Sequence, residues 1–255
     1  MKSDIEINYL AIKLRKQYGE DESSYIDIFD FAKRIKDLTV VFYPLGLNIS
    51  GMCIKQDQAN VIAINSNTSL GRQRFSLAHE LYHLFFDSTS GTSISNLETS
   101  YTNSIEDEAN TFASFFLVTY NTLADKLSKI NKINNTDILA LENSFGLSHL
   151  AMLYRLKKYG YINDAQYKEF SEINIIETAK YYFSDTDLYT VSNGLLKKTF
   201  GNYIKQAKQL KQKGIISQGA YNEFLLDAFR DDLVYQKQNE VIDGWFVFFW
   251  YRLLI

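Results

Sequence analysis

The feature that most limits what this chain can become is the run His79-Glu80-Leu81-Tyr82-His83, set inside RQRFSLAHELYHLFFD (Arg72 to Asp87). Helical positions four apart lie one turn above each other on the same face. On a helix both imidazoles reach one ion, as a zinc peptidase site requires. Glu80, one step from His79, is then close enough to act on a water at that ion without binding the ion itself. The flanks favour a helix. Leu77, Ala78, Leu81, Leu84 and Phe85 form a wide apolar surface, and Ser76, His79, Glu80 and His83 a narrow polar stripe. Such a stripe faces a cavity or a site, because burying it without partners is costly. The five-residue pattern also arises by chance. Against chance, the chain has only three histidines and two fall here.

A third ligand at sensible spacing weighs further toward a metal. Ser104 to Ala113 reads SIEDEANTFA. Ser104 suits an N-cap, and acids crowd the first turn, where the helix dipole favours them. That alone accounts for Glu106 and Glu108 structurally. Glu106, Ala109, Asn110 and Ala113 nevertheless share a face whose small residues let this helix approach the histidine helix. Glu106 is the first candidate, completing a two-His, one-Glu set with a position left for water. Asn110, one turn on, is placed to hydrogen-bond a ligand from behind. Glu108 points about 200° away around the helix, beside Phe112 and Phe115, and ranks second. Glu98, in the preceding loop, is weaker still.

At 255 residues the chain can hold one large domain or two, and 46% hydrophobic residues are ample for a core. A net charge of −3 lacks the basic excess of a nucleic-acid surface. Cys53 is the single cysteine, so no intrachain disulfide forms. The start, MKSDIEINYL, has no apolar signal run, and no stretch reaches the ~18 apolar residues of a membrane span. A cytoplasmic location is expected.

Residues 4 to 18 read as an amphipathic helix through Ile5, Tyr9, Ile12 and Lys16, and Asp27 to Lys36 as a second helix. Leu38–Tyr43, Ile49–Lys55 and Asn60–Asn65 read as strands of a small antiparallel sheet. Val61 to Ile64 is either a plain core strand or a strand that borders the cleft and pairs with an extended peptide. Asp87 to Asn103, rich in Ser, Thr, Gly and Asn, reads as a long loop. Residues 137–158 read as helix, turn at Gly146, and helix capped by Ser148, which is helix-turn-helix-like. Their outward residues form no basic stripe, so packing or partner contact is expected ahead of DNA binding. KKYGYINDAQYKEF (157–170) is echoed by KQKGIISQGAYNEF (211–224), which shared turn chemistry explains without duplication. Gly244 to Ile255 is almost wholly apolar, read first as a buried terminal element and second as a partner-contact segment.

RQRFSLAHELYHLFF followed by EDEANTFASFFLV resembles the ImmA/IrrE family of bacterial zinc metallopeptidases. Val61 to Asn65, Phe145 to Ser148 and Ala151 to Leu156 are also similar to stretches of that family, so the resemblance spans about residues 25–162. It implies His79, His83 and Glu106 as zinc ligands, Glu80 as the catalytic carboxylate and a gluzincin-like fold. It further implies cleavage of a helix-turn-helix repressor, which switches genes on. Two positions depart from the family: Tyr82 where a Gly is usual, and Val118-Thr119-Tyr120 where the apolar run usually ends in Pro.

The expected architecture is α+β. A zincin-like domain (1–125) with a small antiparallel sheet and an active-site helix pair comes first. A helix-turn-helix-like segment (126–165) follows, and then a mainly α-helical part (166–255). The expected activity is zinc-dependent, site-specific endoproteolysis of a protein. The competing readings are a non-catalytic, zinc-containing partner-binding regulator and, behind it, a DNA-binding regulator through 137–158. For the oxyanion donor, His149, Arg72, Tyr101 and Tyr120 qualify by chemistry alone, with His149 favoured for a surface or capping role.

Overall fold

The computed structural model describes residues 1–46, 48–57, 59–88, 91–96, 104–183, 186–191 and 195–235. Glu98, Tyr101 and the apolar segment 244–255 lie outside the described residues. In order, the elements are α1 (Asp4–Gln17), α2 (Ile28–Arg34), β1 (Leu38–Tyr43), β2 (Ile49–Ile54), β3 (Asn60–Asn65), α3 (Leu70–Phe86), β4 (Thr92–Asn96), α4 (Ser104–Leu117) and α5 (Tyr120–Leu127). Then come α6 (Asn135–Phe145), α7 (His149–Lys158), α8 (Asp164–Ser171), α9 (Ile175–Tyr182), a short 3-10 turn (Asp187–Tyr189), β5 (Lys198–Gly201), α10 (Asn202–Gln212), α11 (Gln218–Asp227) and α12 (Asp231–Tyr235).

The fold is α+β around one five-stranded sheet in the order β4-β2-β3-β1-β5. The sheet is mostly antiparallel, with β1 and β3 running parallel. The short β2–β3 hairpin turns the chain back, and β3 then slots between β2 and β1, so it must run with β1. Both edges of β3 are therefore occupied, and Val61 to Ile64 cannot take up a peptide by strand addition. β4 arises inside the stretch read as loop. Thr92-Ser93-Ile94-Ser95 carries a single large apolar residue, as a one-sided edge strand can, and so lacks the strand signature. β5 comes from the helical C-terminal part and closes the other edge against β1.

One face of the sheet buries Val40, Phe42, Cys53, Ile62 and Ile64 in a cluster with Leu77, Ala78 and Leu81 of α3 and Phe112, Phe115 and Phe116 of α4. α3 packs on β2, β3 and α4, and α1 packs on α4. α1 opens with a capping box between Ser3 and Glu6. It turns Ile7, Ala11 and Leu14 inward rather than the expected Ile5–Tyr9 face, and Ile5 and Tyr9 stand 83% and 63% exposed. The helix is apolar on two sides, so periodicity alone does not choose between them; small Ala11 allows the close approach to α4.

The helix-turn-helix-like pair α6–α7 is fastened to α3. Arg74 Nε donates to the Gly146 carbonyl (3.0 Å), Nη2 to the Ile26 carbonyl (2.7 Å) and Nη1 to the Tyr25 hydroxyl (2.6 Å). A Cβ on Gly146 would fall 2.4 Å from Arg74 Nε, and its φ is +67°, so both space and backbone call for glycine. The echoed segments share their turn. Gly160 and Gly214 both take positive φ, and the next helices are capped by Asn163 and Ser217. Among the described residues no helix is long and apolar enough to cross a membrane.

Candidate metal centre

α3 carries its polar stripe toward the start of α4. His79 Nε2 lies 3.1 Å from Glu106 Oε2, His83 Nε2 lies 3.4 Å from Glu106 Oε1, and the two Nε2 atoms are 3.1 Å apart. One atom from each of the three residues falls within 4.8 Å of the others. Around a tetrahedral cation with ligands at about 2.0–2.2 Å, neighbouring ligand atoms stand roughly 3.3–3.5 Å apart, close to what is seen here.

The far side of each imidazole fixes its tautomer. His83 Nδ1 donates to Asp87 Oδ2 (3.1 Å), and a carboxylate only accepts. His79 Nδ1 donates to Asn110 Oδ1 (2.9 Å). With both Nδ1 positions protonated, each Nε2 is left facing the other imidazole and the Glu106 carboxylate. Protons shared with Glu106 or a divalent cation satisfy these atoms, and the cation satisfies all three at once. Burial opposes charge on Glu106, yet the two imidazoles favour it and hold the carboxyl at about 2, so it is an anion at neutral pH.

Asp87 is itself anchored. Lys55, just past the end of β2, sends Nζ to the backbone carbonyls of His83 (3.2 Å) and Asp87 (2.8 Å), a cation on the open carbonyl end of α3. Asp87 went unnoticed in the sequence, although it is four residues beyond His83 and so on the same face, the very spacing that marks the two histidines.

Glu80 is completely buried beside this cluster, and neither of its oxygens has a hydrogen-bond partner of ordinary geometry. Burial pushes its carboxyl up, opposed by His79, the nearby Ser95 hydroxyl of β4 and His83. Cys53, on β2, is pushed up to about 12 by burial and the Glu80 charge, which leaves its thiol unreactive.

The remaining candidates lie elsewhere. Glu108 accepts from Lys2 Nζ (2.8 Å) and from the Tyr82 hydroxyl, while Lys2 Nζ also reaches that hydroxyl (2.8 Å). Tyr82 thus leans away from the cluster onto Phe86 and Phe112, and does not narrow the site. His149 is not on the surface. It is 8% exposed, with Nδ1 2.6 Å from Glu142 Oε1 and Nε2 2.9 Å from the Phe170 carbonyl. Tyr120 packs on Tyr159 at the rim of a separate cavity of about 450 Å³ lined also by Asp4, Ile5 and Phe115. The Arg72 guanidinium lies over the Phe75 ring. Ser95 and Gly51 flank Glu80 through strand pairing that no local pattern announces.

Residues 34–157 match the family described as IrrE N-terminal-like domain, a peptidase family. No curated protein matches the chain. A solved structure, a Mycobacterium tuberculosis transcriptional regulator, is similar at 16% identity and a TM-score of 0.43 over 60% of this chain. The chain spans only 46% of that protein. It is residues 34–157, which carry both helices of the candidate centre, that resemble the IrrE N-terminal-like family of peptidases.

Proposed function

We propose that this protein is a zinc-dependent, site-specific endopeptidase whose substrate is another protein. The observation that carries the reading is the convergence of two imidazole lone pairs and the Glu106 carboxylate next to the orphaned carboxylate of Glu80. His79 Nε2, His83 Nε2 and Glu106 would hold the ion, and Asn110 and Asp87 orient the two rings from behind. Zinc bound there supplies Lewis acidity toward the scissile carbonyl and lowers the pKa of water to about 7. Glu80 takes the proton from the attacking water and delivers it to the leaving amine, as base and then as acid.

The substrate backbone is best taken up by β4. Among the described residues it pairs with β2 on one side only, and Ile94 on it is 55% exposed, so an extended peptide can add at this edge beside Glu80. A helix-turn-helix repressor as substrate, cleaved in the cytoplasm to relieve repression, follows from the resemblance to the ImmA/IrrE peptidases. On this reading residues 1–125 carry the chemistry and 126–165 brace it. Residues 166–255 add a mainly helical part from which β5 reaches the sheet. The α6–α7 turn is engaged by Arg74, which favours a brace over a reader of DNA.

The test is metal analysis of the purified protein together with co-expression of a neighbouring helix-turn-helix repressor. One equivalent of zinc in wild type and Glu80→Gln, with the repressor cut only by wild type, is the expected result. Equal repressor loss with both proteins supports the non-catalytic partner-binding regulator instead, and absence of zinc removes the assignment.

A further inference from the structure

We propose that Gly51 is a positioning residue for Glu80: its missing side chain is the seat in which the carboxylate rests. The catalytic meaning of this rests on the peptidase reading above; the contact itself does not.

Gly51 lies in the interior of β2, opposite Ile64 of β3 and Ser95 of β4. A glycine in mid-strand weakens a strand and wants a reason. Positive φ is not the reason, because Gly51 is not among the glycines of positive φ, and although the β2–β4 register shifts between Ile49 and Gly51, a residue other than glycine can take such a place unless space forbids it. Space is the reason. A Cβ at this position would stand 2.8 Å from Glu80 Oε1 and 3.2 Å from Glu80 Cγ, with the Ala63 carbonyl oxygen at 3.1 Å. The closest clash is thus with the carboxylate itself. Glu80 sits on a helix packed along β2 and β3, so its backbone cannot retreat without dragging His79 and His83 with it. The carboxylate would be displaced instead. No hydrogen bond of ordinary geometry holds either of its oxygens, so beside the nearby Ser95 hydroxyl it is packing against the bare β2 backbone that limits where they rest. A base displaced by about 1 Å loses on the order of 10²-fold in rate.

The test uses the full chain in four forms: wild type, Gly51→Ala, Glu80→Ala and the double variant. Each is assayed for thermal midpoint, zinc affinity and repressor cleavage. Gly51→Ala is expected to keep wild-type zinc affinity, lose about 10²-fold in kcat with little change in KM, and lower the thermal midpoint. In the Glu80→Ala background both close Glu80 atoms are gone, and the same Gly51→Ala change should leave the midpoint unchanged or raise it. An equal drop in both backgrounds overturns the proposal, since the glycine would then serve the Ala63 carbonyl and the sheet. A fall in zinc affinity matching the fall in cleavage overturns it as well. If Gly51→Ala does not fold, recovery of folding in the double variant supports the seat and failure of both rejects it. Should Glu80→Ala cleave as well as wild type, the peptidase reading falls, while the thermal cycle still reports on the contact.

Discussion

Two buried histidine–carboxylate clusters stand in this molecule, and they differ in what is left over. At His149 every polar atom is spoken for. Nδ1 meets Glu142, Nε2 meets the Phe170 carbonyl, and the second Glu142 oxygen accepts from the Tyr189 hydroxyl (2.7 Å). Nδ1 faces a carboxylate and Nε2 a carbonyl, so Glu142 strengthens the ring's hold on its proton, and the pair is a hydrogen-bonded strut joining α6, α7, α8 and the 3-10 turn. At His79 and His83 the outer nitrogens each have their own partner, while the two inner ones converge on one point and share the single Glu106 carboxylate. The same residue types therefore make a brace in one place and a candidate ligand set in the other. Burial does not tell them apart; the count of donors against acceptors does.

The contrast can be broken most sharply by exchanging the roles. His83→Ala should abolish stoichiometric metal binding and cleavage while leaving the folded protein intact without metal, as metal analysis and circular dichroism will check. His149→Ala should retain the metal but cost about 3–5 kcal/mol of stability, because it strands a buried Glu142 carboxylate; denaturant unfolding measures it. If His149→Ala loses metal, the two clusters are not independent. Asp87→Ala should weaken zinc binding by about 10–100-fold by freeing the His83 ring to turn, read by competition with a chromophoric chelator. Unaltered affinity would mean that packing alone orients that ring.

The smallest effect is in pH. Burial opposes the charge on His149, but Glu142 and the Phe170 carbonyl outweigh it and raise the pKa above the ordinary 6.5. A raised histidine contributes its full stability below the unfolded-state pKa and loses it as pH climbs through the folded one. The stability gap between wild type and His149→Gln should therefore narrow as the pH rises above about 6.5, by roughly 1.4 kcal/mol for every tenfold by which folding tightens the ring's hold on its proton. A constant gap would show the ring to be neutral.

Much of this was legible from residue spacing. Three strands, the metal-site helix and the helix–Gly146–helix pair follow from apolar periodicity and turn residues, and His79, Glu80, His83 and Glu106 follow from helical geometry. What was hidden depends on partners distant in the chain. β4 is too polar to announce itself, and it becomes a strand only because β2 offers an edge. α1 is apolar on two faces, and α4 selects between them. His149 looks like a surface residue until Glu142 and Phe170 close around it. Gly51 reads as an ordinary glycine until Glu80 is laid over it.

Arg74 sets a lower limit on how far the chain can be shortened. Its guanidinium draws on the segment before α2 and on the turn between α6 and α7 at once. A chain ending at residue 125 would keep the candidate-site side chains yet leave this sunken cation short of an acceptor, and it would strip Leu147, Met152 and Leu153 from the core. The packing that surrounds the candidate site therefore extends through α7, and the helical pair belongs to the same folded body as α3.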